Sequence, residues 1–212
     1  MKLWGCAAAL GLFWVASAGC PGSGGASSAS TSGTGGHTPT CSLADLGDPK
    51  QPIVLQVTAL GVTNMSTPIV DGMSVDLITP PQGGRVIFIG AKATNLSPCG
   101  VVISGSIKDP GNGAVMLDKR TVNLKPQADG YGTSNDTNIS TFANIAVCPN
   151  QWSSQNIYDQ TYEVTLEITD KVGRSASQSV MVVPRCAETE PTLYSGCLCT
   201  CKQGYTLGAP CP

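Results

Sequence analysis

The 212-residue chain contains one histidine, His37, and only 12 Lys and Arg against 14 Asp and Glu. Charged residues make up 12% of the sequence, whereas about a quarter is usual, so a coiled coil or a charged tail is not expected. The net charge of −2, without a Lys/Arg cluster, argues against nucleic acid as a partner. Because His37 is the only histidine, Ser-His-Asp and Cys-His catalysis are nearly excluded. We expect neither an enzyme nor a bound cofactor.

The first 20 residues have the anatomy of an export signal. Lys2 precedes an apolar run at residues 3–16, which is too short for a comfortable membrane span. A-S-A at 16–18 fits cleavage before Gly19. S-A-G-C at 17–20 instead resembles the lipobox of bacterial lipoproteins, in which the cysteine is acylated and becomes the mature N-terminus.

Cysteine parity favours acylation of Cys20. Cys6 leaves with the signal in either case, so cleavage before Gly19 leaves nine cysteines in an exported chain, and one of them has no partner. Residues 21–40 hold 15 Gly, Ser or Thr and no charge, which predicts a flexible tether behind an anchor. A plain secreted protein is the alternative. Acylation leaves eight cysteines for disulfides: Cys41, Cys99, Cys148, Cys186, Cys197, Cys199, Cys201 and Cys211.

From residue 52 onward, short apolar runs alternate with Gly, Pro, Asn and Asp, which indicates an all-β fold. Residues 162–169 alternate strictly, so one face of that strand lies in a core and the other in water. Residues 86–89 are apolar on both faces, which predicts a central strand. The sequence therefore predicts a two-sheet β-sandwich, with strands at 52–59, 85–95, 100–109, 114–118, 120–124, 162–169 and 174–184.

The hairpin from Tyr162 to Asp170, continued by Gly173-Arg174, resembles the last two strands of bacterial Ig-like modules of the PKD and CARDB kind. Residues 86–124 are similar to their middle strands, and the likeness covers roughly residues 50–185. The resemblance implies an Ig-like sandwich with Tyr162 at a tyrosine-corner position. It also implies adhesion, spacing or partner binding, although a fold does not determine function.

Five of the last 27 residues are cysteines, so this short segment is expected to be held by disulfides. Cys199-Thr-Cys201, followed by Gly204-Tyr205 and Cys211, is similar to the closing half of EGF-like and trypsin-inhibitor-like modules. We therefore divide the chain into a signal peptide (1–19), a lipid-anchored linker (20–40), a sandwich (41–186) and a Cys-rich tail (187–212).

Eight cysteines allow 105 disulfide connectivities, and spacing does not select one. Cysteines at strand ends favour a bond within the sandwich, and the last cysteines favour a small terminal loop. The expected bonds are Cys99–Cys148, Cys201–Cys211, and Cys41 with Cys186 or one of the next two cysteines.

Two metal sites are alternatives that the residues support poorly. Four thiolates at 197, 199, 201 and 211 could hold zinc, but structural zinc sites usually space their cysteines more widely. Asp136-x-Asn138-x-Ser140 begins like a calcium loop, but Thr141 and Val147 replace the required Gly and Glu. We expect disulfides in the first case and a turn in the second, and no bound metal.

Carboxylates and exposed aromatic rings are the remaining candidates for chemistry. Most of the aspartates neighbour turn residues, where Asp usually shapes the backbone. Trp152 is expected to cover the core more readily than to form a sugar platform. The aspartates are Asp71, Asp76, Asp109, Asp118, Asp129, Asp136, Asp159 and Asp170, and the other aromatic candidates are Tyr131, Tyr158, Tyr194 and Tyr205.

The leading hypothesis is a lipid-anchored protein of the bacterial outer membrane or surface, with a non-enzymatic binding, adhesion or structural role. Its partner would be an envelope protein or a polysaccharide. An accessory subunit of an envelope enzyme is the first alternative, and a hydrolase with two carboxylates is the second.

Overall fold

The computed structural model describes residues 42–211, which form eleven β-strands, a 3₁₀ turn at Ile139–Thr141 and one α-helix. These residues fall in one compact unit. The strands are β1 (Val54–Leu60), β2 (Ser66–Pro68), β3 (Met73–Leu77), β4 (Arg85–Thr94), β5 (Val101–Lys108), β6 (Val115–Val122), β7 (Lys125–Pro126), β8 (Gly132–Thr133), β9 (Ala143–Cys148), β10 (Tyr162–Thr169) and β11 (Ser175–Cys186); the helix is α1 (Pro191–Cys201).

The strands form two sheets. The first has the order β2-β1-β4-β8-β7, and β9 pairs with β4 beside β8. The second has the order β3-β11-β10-β5-β6, in which β3 runs parallel to β11. The succession β11-β10-β5-β6 matches the G-F-C-C′ order of Ig variable-type sandwiches. The predicted all-β, Ig-like two-sheet sandwich with a small disulfide-rich tail is confirmed.

The core lies between the two sheets and follows the alternation of the sequence. Val164, Leu166 and Ile168 on β10 are fully buried, as period-two patterning requires. The central strand β4 is buried on both faces, as residues 86–89 predict. Ile87 and Ile89 face the main core, whereas Val86 and Phe88 belong to a second, smaller cluster with Leu60 and Phe142.

The second cluster depends on a close approach at Gly90. Phe88 and Phe142 meet edge to face with centroids 6.4 Å apart. A Cβ at Gly90 would lie 2.6 Å from Phe142 Cε1, closer than two carbons can pack. Glycine is therefore required here by packing and not by its backbone angles.

Six strands differ from the sequence prediction. The runs 114–118 and 120–124 join into one edge strand, β6, whose exposed and partly buried residues alternate along its length. The strands β2, β3, β7, β8 and β9 were not predicted. β3 has only two buried residues, Val75 and Leu77, so its alternation is too short to detect by pattern.

The tail contains a helix, which the likeness to EGF-like modules did not predict. Pro191 occupies the first turn of α1, and the Glu190 carboxylate accepts a hydrogen bond from Leu193 N. That bond, followed by one from Thr192 N, lowers the pKa of Glu190. Cys197 and Cys201 lie one turn apart and are fully buried in the main core. The tail therefore packs on the sandwich along one helical face.

Candidate functional site

The predicted anchor, Cys20, and the first disulfide candidate, Cys41, lie outside the described residues. Among residues 42–211, no helix is both long and apolar enough to cross a membrane. Disulfides in this part of the chain are compatible with export.

The disulfides differ from the expected pairing. The predicted bonds Cys99–Cys148 and Cys201–Cys211 are wrong, because Cys148 is bonded to Cys201 and Cys211 to Cys199. Spacing suggested a bond within the sandwich, but α1 brings Cys201 against the end of β9 instead.

The cysteines that were proposed as disulfide partners of Cys41 are bonded to other cysteines. Cys186 bonds Cys197, and Cys199 bonds Cys211. Cys99 is disulfide-bonded too, and its partner is none of the other six described cysteines. The thiolates of the zinc alternative are thus divided among three disulfides.

Most of the candidate carboxylates accept hydrogen bonds from the backbone. Six of the eight accept a hydrogen bond from a main-chain N–H: Asp71, Asp76, Asp109, Asp118, Asp129 and Asp170. Burial alone would raise the pKa of Asp109, but hydrogen bonds from Ser154 and Gly111 lower it overall. Such carboxylates already accept hydrogen bonds from the backbone, which suits a structural role better than proton transfer.

Asp170 joins the last hairpin to the first strand. Burial alone would raise its pKa, but bonds from Arg174 and Val172 lower it below the usual range. The Arg174 guanidinium lies 2.7 Å from Asp170 Oδ2 and also donates to the carbonyls of Pro49, Gln51 and Asn95. This ion pair therefore fixes where the chain enters the sandwich.

The calcium-like loop is a hydrogen-bonded turn. Asn138 Oδ1 accepts bonds from Ser140 N and Oγ, and Thr141 Oγ1 donates to the Asn138 carbonyl. Asn138 and Ser140 therefore use their polar atoms within the loop. Asp136 as a residue is partly exposed, but its Oδ1 atom is buried and has no hydrogen-bond partner.

Trp152 covers the core, as expected. It packs against the main cluster, and its Nε1 donates to the Val147 carbonyl. Its ring lies 6.0 Å from that of Tyr162. The buried Tyr162 hydroxyl donates to the Asn156 carbonyl, in the manner of a tyrosine corner, and burial raises its pKa.

One surface cleft is polar and has a volume of about 510 Å³. Lys92 on its wall pairs with Asp129 at 2.7 Å and lies 4.9 Å from the Tyr131 ring centroid. The hydrogen bond from Lys92 is the main cause of the lowered pKa of Asp129. Lys92 is partly exposed and Asp129 is exposed, so water screens the pair and the charges attract a ligand weakly.

A second cavity, of about 290 Å³, is mainly apolar and carries a buried carboxylate. We call it the Glu188 pocket. Its walls come from the β1–β2 turn, the β3–β4 connection, β4, the 3₁₀ turn and the tail. The lining residues are Leu60, Gly61, Val62, Asn64, Ile78, Thr79, Pro80, Pro81, Phe88, Ile139, Glu188 and Leu193.

Glu188, which lines this pocket, forms a buried ion pair with Arg85, which does not line it. Their side chains are 8% and 10% exposed, and Arg85 Nε lies 3.4 Å from Glu188 Oε1. Thr79 Oγ1 donates to the same carboxylate oxygen at 2.6 Å. The guanidinium also donates to the carbonyls of Gly84 and Leu193, so it ties the start of β4 to α1.

The pair leaves two buried polar atoms without a hydrogen-bond partner: Arg85 Nε and Glu188 Oε2. Such atoms are costly in a folded protein unless a water or a ligand meets them. Apolar walls with a few convergent polar groups are typical of small-molecule sites. The pocket is therefore suited to bind an apolar group.

Sequence reasoning missed this pocket. Arg85 and Glu188 are 103 positions apart, and Glu188 lies in the polar stretch A-E-T-E-P before α1. The available signal was the dipeptide Glu190-Pro191, which is typical of a helix start and would have placed a helix beside the sandwich.

No protein-family model matches the chain, and no curated protein or solved structure shows significant similarity to it.

Proposed function

We propose that the chain is an exported, lipid-anchored protein of the bacterial cell envelope, whose β-sandwich binds another envelope component at the Glu188 pocket without catalysis. The mainly apolar cavity of about 290 Å³, with the Glu188 carboxylate in its wall, carries this proposal. Apolar cavities with a few polar groups are typical of ligand sites.

Binding is a better account than catalysis because the acidic groups are already engaged. Glu188 is paired with Arg85, and the six aspartates described above hold backbone amides. A hydrolase with two carboxylates needs one acid free to give a proton and another free to take it. The pocket offers a single carboxylate, that of Glu188.

The tail has a role in this proposal: it supplies one wall of the pocket. Glu188 precedes α1, and Leu193 lies in its first turn. The bonds Cys186–Cys197 and Cys148–Cys201 hold this short segment against the sandwich. A disulfide-rich tail is thus useful because it positions a carboxylate that a loose segment could not keep buried.

The anchor at Cys20 follows from cysteine parity and from the uncharged linker at residues 21–40, which would span roughly 25 Å as a flexible coil. Intact mass of the membrane-extracted protein tests it. We expect a mature N-terminus at Cys20 carrying lipid. A soluble product that begins at Gly19 would contradict the anchor but leave the binding site untouched.

Hydrogen exchange with a detergent-solubilised envelope extract tests the binding site. We expect the extract to protect the amides of residues 60–64 and of Ile78 and Thr79. The rim variant Val62→Trp should abolish this protection. Val172→Trp is the matched control, because Val172 is exposed in the β10–β11 turn and does not line the pocket. Protection elsewhere, or protection unaffected by Val62→Trp, would refute this site.

A further inference from the structure

We infer that Cys41 is the disulfide partner of Cys99, and that this fourth bond fastens the linker to the start of β5. The cysteine count, the backbone contacts before β1 and the entropy of loop closure each support the pair. The pairing is independent of lipid anchoring, whereas its role in carrying load from the anchor rests on the proposed function.

The cysteine count leaves few candidates for the partner of Cys99. Residues 42–211 contain seven cysteines; all are disulfide-bonded, and six of them pair with one another. The partner of Cys99 within the chain is therefore Cys6, Cys20 or Cys41. Cys6 belongs to the proposed signal peptide and leaves with it. The choice is between Cys20 and Cys41, which both lie outside the described residues.

The backbone before β1 runs beside the turn that carries Cys99. Leu46 N donates to the Leu96 carbonyl at 2.9 Å, and Leu96 N donates to the Leu46 carbonyl at 3.1 Å. The pairing is antiparallel, so the residues before Leu46 head towards those after Leu96. Cys99 follows Leu96 by three positions, and Cys41 is the first cysteine before Leu46. The chain therefore leads from this bridge directly to the proposed pair.

Cys99 is held in place from both sides. The carbonyl of Pro98 accepts from Leu124 N at 2.8 Å, and Gly100 N donates to Asn123 Oδ1 at 2.9 Å. The Cα atoms of a disulfide are usually about 4.4–6.8 Å apart. The partner must therefore come to Cys99, because the turn around Cys99 is fixed.

Loop closure favours Cys41 over Cys20. From the bridge at Leu46, 5 positions lead back to Cys41 and 26 lead back to Cys20. The probability that a flexible segment brings its ends together falls as about the 3/2 power of its length, which gives Cys41 an advantage of about tenfold. Acylation would exclude Cys20 altogether, since a sulfur that carries lipid has no thiol to oxidise.

The bond forms by thiol–disulfide exchange with an oxidant of the receiving compartment, of the class of proteins that carry a reactive disulfide. One thiolate attacks that disulfide to form a mixed disulfide, and the other thiolate then displaces the oxidant. The two thiols lose two protons and two electrons, and the oxidant gains them and leaves as a dithiol.

The bond places the load from the anchor on a central strand. It closes residues 42–98 into a loop, which supplies nine of the twelve residues that line the Glu188 pocket. Tension between a component bound at the pocket and the anchor therefore passes through Cys41–Cys99. β5 is hydrogen-bonded on both sides, to β10 and β6, so a pull on Cys41 does not peel away the chain before β1.

Tryptic mapping without reduction tests the pairing in the exported full chain. His37→Lys adds a cleavage site in the linker, so that Cys20 and Cys41 fall in different peptides. N-ethylmaleimide blocks free thiols before digestion. We expect peptide 93–108, which contains Cys99, to be linked to peptide 38–50. In the matched variant His37→Lys/Cys20→Ser the same link should persist, and in His37→Lys/Cys20→Ser/Cys41→Ser it should disappear, with N-ethylmaleimide on Cys99.

The other outcomes are distinguishable. A link from peptide 93–108 to the peptide before residue 38 would overturn the inference and also show that Cys20 carries no lipid. Alkylation of Cys41 in the folded chain would overturn the inference but leave the anchor untouched. A mature start at Gly19 with peptides 38–50 and 93–108 linked would contradict the anchor and support the pairing.

Optical-trap pulling on the two ends of the Cys20→Ser chain tests the load path. The variant Cys20→Ser/Cys41→Ser/Cys99→Ser should release residues 42–98, which extend to about 200 Å, at a force that leaves the Cys20→Ser chain folded. The other disulfides are the same in both chains, so the difference reports the fourth bond alone. Equal forces for the first unfolding step would refute the load-bearing role.

Discussion

Removal of the Cys148–Cys201 disulfide should destabilise the whole protein and not only the tail. The bond joins residues 53 positions apart, for which loop-closure entropy gives about 4 kcal/mol. Small domains hold only about 5–15 kcal/mol in total, so Cys148→Ala/Cys201→Ala should remain folded but marginal. A loss of about 4 kcal/mol lowers the melting temperature by roughly 10 °C at this chain length.

The matched control removes Cys199–Cys211, which spans 12 positions. Its loop-closure contribution is about 3 kcal/mol, and it joins the end of α1 only to the residues that follow. Cys148 and Cys201 are both buried in the main core, so their replacement also leaves a small cavity there. The control should therefore be the more stable variant.

Urea unfolding, followed by tryptophan fluorescence and circular dichroism, measures both variants. Trp152 is the only tryptophan after residue 14, and its indole bonds to the residue before Cys148. Hydrogen exchange should show that α1 loses protection in the Cys148→Ala/Cys201→Ala variant. If the Cys199→Ala/Cys211→Ala variant proved the less stable one, or if both left α1 equally protected, the assignment of α1 to the core would be refuted.

Three further predictions follow from single contacts. Arg85→Met should lower the free energy of unfolding by about 3–5 kcal/mol, because Glu188 stays buried without a counterion. The double variant Arg85→Met/Glu188→Leu should lose less, and additive losses measured by urea unfolding would contradict this. Asp170 has a lowered pKa, so its contribution to stability is present above about pH 4 and is lost as pH falls through the folded-state pKa. Asp170→Asn should flatten the fall in unfolding free energy between about pH 5 and pH 2, and an unchanged pH profile would argue against it. Gly90→Ala should cost about 1–3 kcal/mol in thermal unfolding, because its methyl group meets Phe142, and a neutral result would mean that the ring can move.

The part of the fold that follows local alternation could be predicted from the sequence. β10 spans the predicted residues, and β4 lies centrally because its apolar residues fall on both faces. β3 escaped detection because an edge strand of five residues buries only Val75 and Leu77, which is too short a pattern to distinguish from a loop. The helix α1 was not predicted because its buried face consists of cysteines. These were interpreted as disulfide partners and not as a helical pattern.

The candidate site could not be predicted, because its polar pair is not a local pattern. Arg85 begins a strand and Glu188 precedes a helix, and neither position carries a motif that requires the other. The disulfide pairing was wrong for the same reason: chain positions alone do not reveal that α1 returns to the end of β9. Long-range contacts of this kind depend on the complete packing of the sandwich.

The three described disulfides interlock along the chain, and this has a consequence for biogenesis. The Cys186–Cys197 bond lies within the loop closed by Cys148–Cys201. The Cys199–Cys211 bond begins within that loop and ends after it. On the proposed export route, a chain that leaves the channel N-terminus first presents Cys148 and Cys186 together before either native partner has emerged. A bond between these two thiols would be non-native and would have to be exchanged once Cys201 is available. The yield of correctly oxidised protein should therefore be limited by disulfide isomerisation in the receiving compartment and not by its supply of oxidant.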